Sequence, residues 1–331
     1  MGRAMLYKSI HTTIYDYVEP VSLCHNVFHL AARSGSWQTR RSSELRISPS
    51  PSVMTERTDF FGNTATFATI EEPHRELSVI AVNVAEITPV SPPMVELTPP
   101  WEAVREQLRT DVGLDVLAAS QFVFDSRYVP TGDQFAAYAA PSFPPGRPIL
   151  EAVLDLTARI HADFRYDPSA TTIATPIKEV LEQRHGVCQD FAHLQIGCLR
   201  SLGLAARYVS GYLVNTPPAG RPRPVGAEVS HAWISFFCPG FGWIDLDPTN
   251  NQVPYDHHIV LAWGRDYDDV SPIKGVILGG GKQKVKVTVD IAPIMSDETP
   301  APAAPHEESA FSREFLTQGS YKHLGAEDER I

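Results

Sequence analysis

The chain has 331 residues, 43% of them hydrophobic and 20% charged, which is the balance of a soluble globular protein long enough for two domains and a sizeable core. Its 28 Lys and Arg against 39 Asp and Glu leave a net charge of −11, which argues against nucleic acid or an anionic membrane as the main partner. Four cysteines without CxxC spacing suggest no zinc knuckle, thioredoxin-type couple or disulfide framework, and no signal-like segment or bilayer-length apolar run is visible, so a cytoplasmic protein is expected.

The first hundred residues read as β-structure. LYKSIHTTIYDY alternates, and VFHLAAR, SSELRISPSP, TATFATIEEP and ELSVIAVNVAEITPV follow, separated by Pro, Gly, Asn and Asp. Such spacing predicts an antiparallel β-sandwich over residues 1–100. Within it the Gly62-Asn63 pair suits a tight hairpin turn, and Arg40 to Arg46 reads as a solvated strand face. The Pro-rich stretch Thr88 to Pro100 is the candidate boundary to a second domain at 101–293.

That second part mixes helices and strands. WEAVREQLRTDVGLDVLAAS looks helical but imperfectly periodic; PILEAVLDLTARIHADF is more regular, with Pro148 just inside its start. Thr175 and Pro176 mark the N-cap and first position of another helix. Phe191, Leu194, Cys198, Leu199 and Leu202 form one apolar stripe that Gly203 ends. Beyond it ARYVSGYLV reads as a strand, HAWISFF and FGWIDLD as a hairpin around Cys238–Gly240, and KQKVKVTVDIAP as a late strand. The Pro/Ala/Glu-rich tail at 294–331 is expected to be disordered or loosely packed.

Cys188 falls in the first turn of the striped helix, where free amides and the helix dipole favour a thiolate; a small apolar residue at a helix start is the plainer alternative. Gly186 permits close backbone approach by a substrate. Cys198, mid-stripe, reads as core. A turn centred on Pro239 sets His231 directly opposite Asp247, an imidazole beside a carboxylate, as orienting a general base requires. The order Cys, His, Asp suits a nucleophile at a helix start packed against a sheet that holds its base.

GVCQDFA, SHAWISFF and GFGWIDLDPTN resemble the three core motifs of the transglutaminase-like superfamily, and the first hundred residues resemble the β-rich N-terminal domain of its bacterial members. The segment Ala262 to Gly281 is similar to the continuation of that subgroup, so the resemblance spans roughly residues 3 to 293. It implies an α+β protein: an N-terminal antiparallel β-sandwich, then a papain-like, transglutaminase-like catalytic core with a helix-borne Cys packed on an antiparallel sheet. It further implies Cys188 as nucleophile, His231 as base and acid, and Asp247 as orienter, with Asp245 as the competitor for that role. The Cys188 amide and Tyr166 are the candidate oxyanion donors.

The activity implied is attack on a peptide or isopeptide amide through a thioester, with no cofactor and no metal, on a protein or peptide substrate. Hydrolysis is favoured over amine transfer because neither an EF-hand pattern nor a secretion signal points to an extracellular cross-linker. Protein-glutamine amine transfer, acyl transfer to a small amine, and a peptide-binding module without catalysis stay open. Gln189 and Asp190 either line the cleft or face solvent, and His193 either packs or meets substrate. The run Asp256-His257-His258 invites a metal reading, but neighbours on a strand point apart. Trp233 and Trp243 read as core. Arg265, Asp266, Asp268 and Asp269 either rim the site or hold their own loop.

Overall fold

The structure is a computed structural model that describes residues 4–214, 230–254 and 257–294, and the backbone of 322–324. The chain opens with β1 (Met5–Phe28), β2 (Gln38–Ser48), β3 (Val53–Thr58), β4 (Thr64–Ile70) and β5 (His74–Ile87). Helices α1 (Trp101–Thr110), α2 (Leu114–Ser120), α3 (Asp133–Ala139) and α4 (Ile149–Asp163) follow. Next come β6 (Arg165–Tyr166), α5 (Ile177–Gln183), β7 (His185–Gly186), α6 (Cys188–Ser201), β8 (Ala206–Leu213), β9 (Ser230–Cys238), β10 (Gly242–Leu246), β11 (His258–Gly264) and α7 (Tyr267–Val270). Strands β12 (Ile273–Gly279), β13 (Gln283–Ile294) and β14 (Lys322–Leu324) close the order.

One eight-stranded antiparallel sheet takes β1–β5 with β12, β13 and β14. Its axis is β1, a single strand where the sequence suggests two. The first half of β1, from Leu6 to Tyr17, lies between β5 and β13; its second half, from Val21 to Phe28, lies between β4 and β12. The β1–β5 register shifts between Asp16 and Val21, and there the sheet curls so that its halves face each other. Between them lie Tyr15, Val21, Phe28, Ile70, Leu77, Val79 and Ile277. The expected sandwich is thus one curled sheet. Residues 273–294, grouped with the second domain in the sequence, pair with β1. The tail lies outside the described residues except 322–324, whose backbone pairs with β12.

The second sheet runs β10-β9-β8-β11, antiparallel throughout. Helix α6 packs across it with α3, α4 and α5 around it, so residues 188–200 are buried on every side. The amphipathic stripe therefore understates its burial. Its buried polar side chains find partners for most of their donors: Gln195 Nε2 donates to Thr157 Oγ1 at 2.7 Å, and Arg200 donates to the carbonyls of Ala206, Phe124 and Arg265, while Gln195 Oε1 has none among the described residues. The imperfect helix after Trp101 is two helices, broken at Gly113, whose amide bonds Asp111 Oδ1. Pro148 and Pro176 cap α4 and α5 from one position outside, and Thr175 instead accepts the Thr172 amide.

The two sheets are fastened together. Tyr7, Ile87 and Ile291 of the first pack on Tyr212, Ile259 and Leu261 of the second. At the β3–β4 turn Gly62 takes φ 76°, and the buried Asn63 bonds Arg33 Nη1 and both backbone groups of Trp263. Arg33 and Arg207 lie on Trp263 at 3.4 and 3.7 Å, and Arg207 also lies on Trp243 at 4.1 Å.

Candidate active site

Cys188 is the first residue of α6, and its side chain is 2% exposed. The start is set by Asp190, whose Oδ2 accepts the Val187 amide at 2.8 Å and the Thr171 hydroxyl at 2.6 Å. Gly186 makes this fit: a Cβ there would stand 2.7 Å from Asp190 Oδ2. The space beside Gly186 therefore belongs to Asp190, not to a substrate as the sequence suggests. Burial raises the Asp190 pKa, opposed by these bonds.

His231 is the second residue of β9 and lies close enough to Cys188 for the thiol to help raise its pKa. Its Nε2 lies 2.7 Å from Oδ2 of Asp247, which is fully buried. The sequence places this pair by register, and the register differs. The turn centres on Gly240 (φ 84°), pairing Cys238 with Gly242 and Ile234 with Leu246, two residues on from a direct His231–Asp247 pair. A slip of two keeps both side chains on one face, so His231 meets Asp247 diagonally. Asp245, the alternative, instead accepts Trp233 Nε1 at 3.1 Å.

Asp247 is held from several directions. Its Oδ1 accepts the amides of Thr249 and Asn250 at 2.9 and 3.2 Å. Its Oδ2 accepts Asn250 Nδ2 at 2.7 Å and lies 3.1 Å from His258 Nε2, as well as meeting His231. Burial alone would raise the carboxyl pKa, but His231 and His258 hold it well below the carboxylate range. Burial likewise opposes charge on His231; the Asp247 charge and hydrogen bond, with Cys188 behind them, overcome it and raise the pKa to about 10. His258 is lowered, first by burial.

Tyr166 lies beside this start, since β6 runs parallel to β7 with Tyr166 level with Gly186. Its side chain is 44% exposed, and its pKa is pushed up to about 12 by burial, then by the charges of Cys188 and Asp190. Gln189 is buried rather than solvent-facing. His193 packs: its Nε2 accepts the Tyr267 amide at 3.1 Å, its ring stacks on Tyr128, and burial lowers its pKa to about 3. Cys198 is core, its thiol pushed up by burial. Arg265 holds Asp269 in a two-toothed pair and Asp268 meets Arg127 and Lys274, so that loop is an ion-pair network.

Sequence reasoning missed Asn250 and His258. Asn250 closes the DPTN motif; His258 was visible only as half of a metal-like pair, because its partner Asp247 follows β10, at the opposite edge of the sheet. His231, Asp247 and His258 offer ligand atoms within 4.8 Å of one another. Both imidazoles approach one carboxylate oxygen at hydrogen-bond distances, whereas ligand atoms spread around a shared ion stand farther apart. The residues fit a shared acceptor better than a metal.

A curled β-sheet ahead of a helix-borne thiol, imidazole and carboxylate is the plan of a transglutaminase-like protein, and the comparisons agree. Residues 7–86 match the bacterial transglutaminase-like N-terminal region and residues 137–248 the transglutaminase-like superfamily. The chain belongs to that superfamily. It is 39% identical over 299 residues to an uncharacterized protein of Mycobacterium tuberculosis, covering 88% of this chain and 94% of that one. Over 128 residues it is 29% identical to a protein-glutamine gamma-glutamyltransferase of Pseudomonas aeruginosa, covering 33% of this chain and 19% of that one. The fold is shared with a crystal structure of a proposed cysteine protease from Cytophaga hutchinsonii, at 23% identity and TM-score 0.67, over 92% of this chain and 95% of that one.

Proposed function

We propose that the protein is a cysteine peptidase or amidase that cleaves peptide or isopeptide bonds through a thioester on Cys188. The observation that carries this reading is the buried His231–Asp247 pair standing beside Cys188 at the start of α6. The Cys188 thiolate attacks the amide carbonyl, and the oxyanion is met by the Cys188 backbone amide and the Tyr166 hydroxyl. The C–N bond then breaks as His231 gives its proton to the departing amine. Water attacks the thioester, its proton passes to His231, and the acid leaves. Asp247 keeps the Nε2–H of His231 engaged, so Nδ1 is the nitrogen that serves the thiol.

Amine transfer is the second reading, favoured by the similarity to the Pseudomonas gamma-glutamyltransferase. The two readings differ only in the acceptor that resolves the thioester. No described helix is long and apolar enough to cross a membrane, and the four cysteines are free. The free thiols support a cytoplasmic setting. The test is mass spectrometry of the protein with glutamine-containing and isopeptide substrates, with and without a primary amine. Hydrolysis products with a transient acyl adduct on Cys188 are expected. Amine incorporation would select the second reading, and no adduct with any substrate would remove both.

A further inference from the structure

We propose that His258 is a positioning residue for the Cys188–His231–Asp247 chain, donating its Nε2–H to the oxygen of Asp247 that holds His231. The proposal rests on the reading of that chain as the catalytic one. An ionised carboxylate only accepts, so the 2.7 and 3.1 Å contacts to Asp247 Oδ2 require a hydrogen on Nε2 of both His231 and His258. With Asn250 Nδ2 at 2.7 Å, three donors from three places converge on that atom: β9, β11 and the turn after Asp247. Two of them belong to other residues than His231, so the carboxylate keeps its orientation as the His231 ring gains and loses its Nδ1 proton.

The fold makes room for this contact. His258 and His231 sit on β11 and β9, with β8 between them. At the crossing β8 carries Gly211, in register with both His231 and Val260. The Trp233 ring stands edge-on to His258 at 5.0 Å and stacks beside His231 at 6.0 Å. The ionisable groups facing His258 among the described residues are Asp247, His231 and Asp245. Burial lowers the His258 pKa and so favours the neutral ring, in which an Nε2–H given to Asp247 leaves Nδ1 without a proton. A purely structural histidine would fill space and satisfy Asp247 without affecting the thiol.

The experiment compares iodoacetamide alkylation of Cys188 at neutral pH in wild type, His258→Phe, His258→Gln and His231→Ala, with circular dichroism to confirm folding. The Phe variant keeps the ring volume and removes the donor, and the Gln variant restores an N–H at similar reach. The Phe variant is expected to react about tenfold slower, the scale of one charge-assisted hydrogen bond, and the Gln variant within about threefold of wild type. Equal loss in both, or none in either while His231→Ala abolishes reactivity, overturns the role of His258 alone. No effect of His231→Ala removes the catalytic reading and this role with it. Should the Phe variant not fold, ¹⁵N-histidine spectra of the wild type decide: His258 protonated on Nε2 supports the role, and His258 protonated on Nδ1 alone overturns it.

Discussion

Gly211 and Trp233 share one space. A Cβ on Gly211 would stand 2.6 Å from the Trp233 indole and 2.1 Å from the Ile259 carbonyl oxygen. The second contact is with backbone and cannot relax by a rotamer change. Gly211→Ala is therefore expected to lower stability by about 3 kcal/mol, the upper range for overpacking. Because Trp233 borders both His231 and His258, Cys188 alkylation should slow as well. Urea unfolding and alkylation measure the two effects, and an unchanged midpoint would contradict the packing.

The start of α6 gives a sharper contrast. Asp190→Ala loses the acceptor for Val187 and Thr171, at a cost of about 1–2 kcal/mol. Asp190→Asn keeps an acceptor for the amide, and its own amide can donate to the hydroxyl, so its loss should be about half as large. Both are read from unfolding midpoints, and the reverse ranking would show that charge rather than hydrogen bonding sets this turn.

Stability should peak near the ordinary imidazole range and fall on both sides. His11 and His193 are buried with pKa lowered to about 4 and 3, so between pH 6.5 and those values the unfolded chain binds more protons. Each then costs about 1.4 kcal/mol per pH unit as pH falls. His231 has the opposite sign: its raised pKa contributes stability that is whole below 6.5 and is lost as pH rises towards about 10. Urea midpoints from pH 4 to 10 should trace this dome, and His231→Ala should flatten its alkaline side.

Tyr166→Phe separates acylation from thiol activation. Tyr166 pairs level with Gly186, and its phenol is within electrostatic reach of Cys188, outside the His231–Asp247 pair. Loss of an oxyanion donor should slow acyl transfer about a hundredfold and leave alkylation of Cys188 unaltered. If both rates fell together, the hydroxyl would be acting on the thiol instead.

Arg207 offers a test away from the site. Buried between Trp243 and Trp263, its guanidinium is lowered to about 9 by burial, which the Asp245 charge only partly offsets. Arg207→Ala should cost about 3 kcal/mol through lost stacking and the space left behind, with little dependence on salt. A strong salt dependence of that loss in thermal unfolding would point to surface ion pairing instead.

Local chemistry determined a good deal from sequence alone. Alternation marked the strands, proline and glycine marked the helix ends, and the residues around Cys188, His231 and Asp247 carried the family resemblance because each motif is contiguous. The His231–Asp247 contact was legible despite a turn misplaced by one residue. Moving the centre from Pro239 to Gly240 slips the register by two, and a slip of two preserves the face.

Tertiary structure decided what depends on distant segments meeting. β12 and β13 complete the first sheet because β1 needs partners along both halves, and nothing in their own pattern names β1. Gly186 serves Asp190, and the polar side of α6 is buried, because neighbours surround that helix on every side. His258 reaches Asp247 only because β11 lies beside β8, where Gly211 leaves room for the Trp233 ring that borders both imidazoles. Strand alternation says which face a side chain takes; only the order of strands says what it finds there.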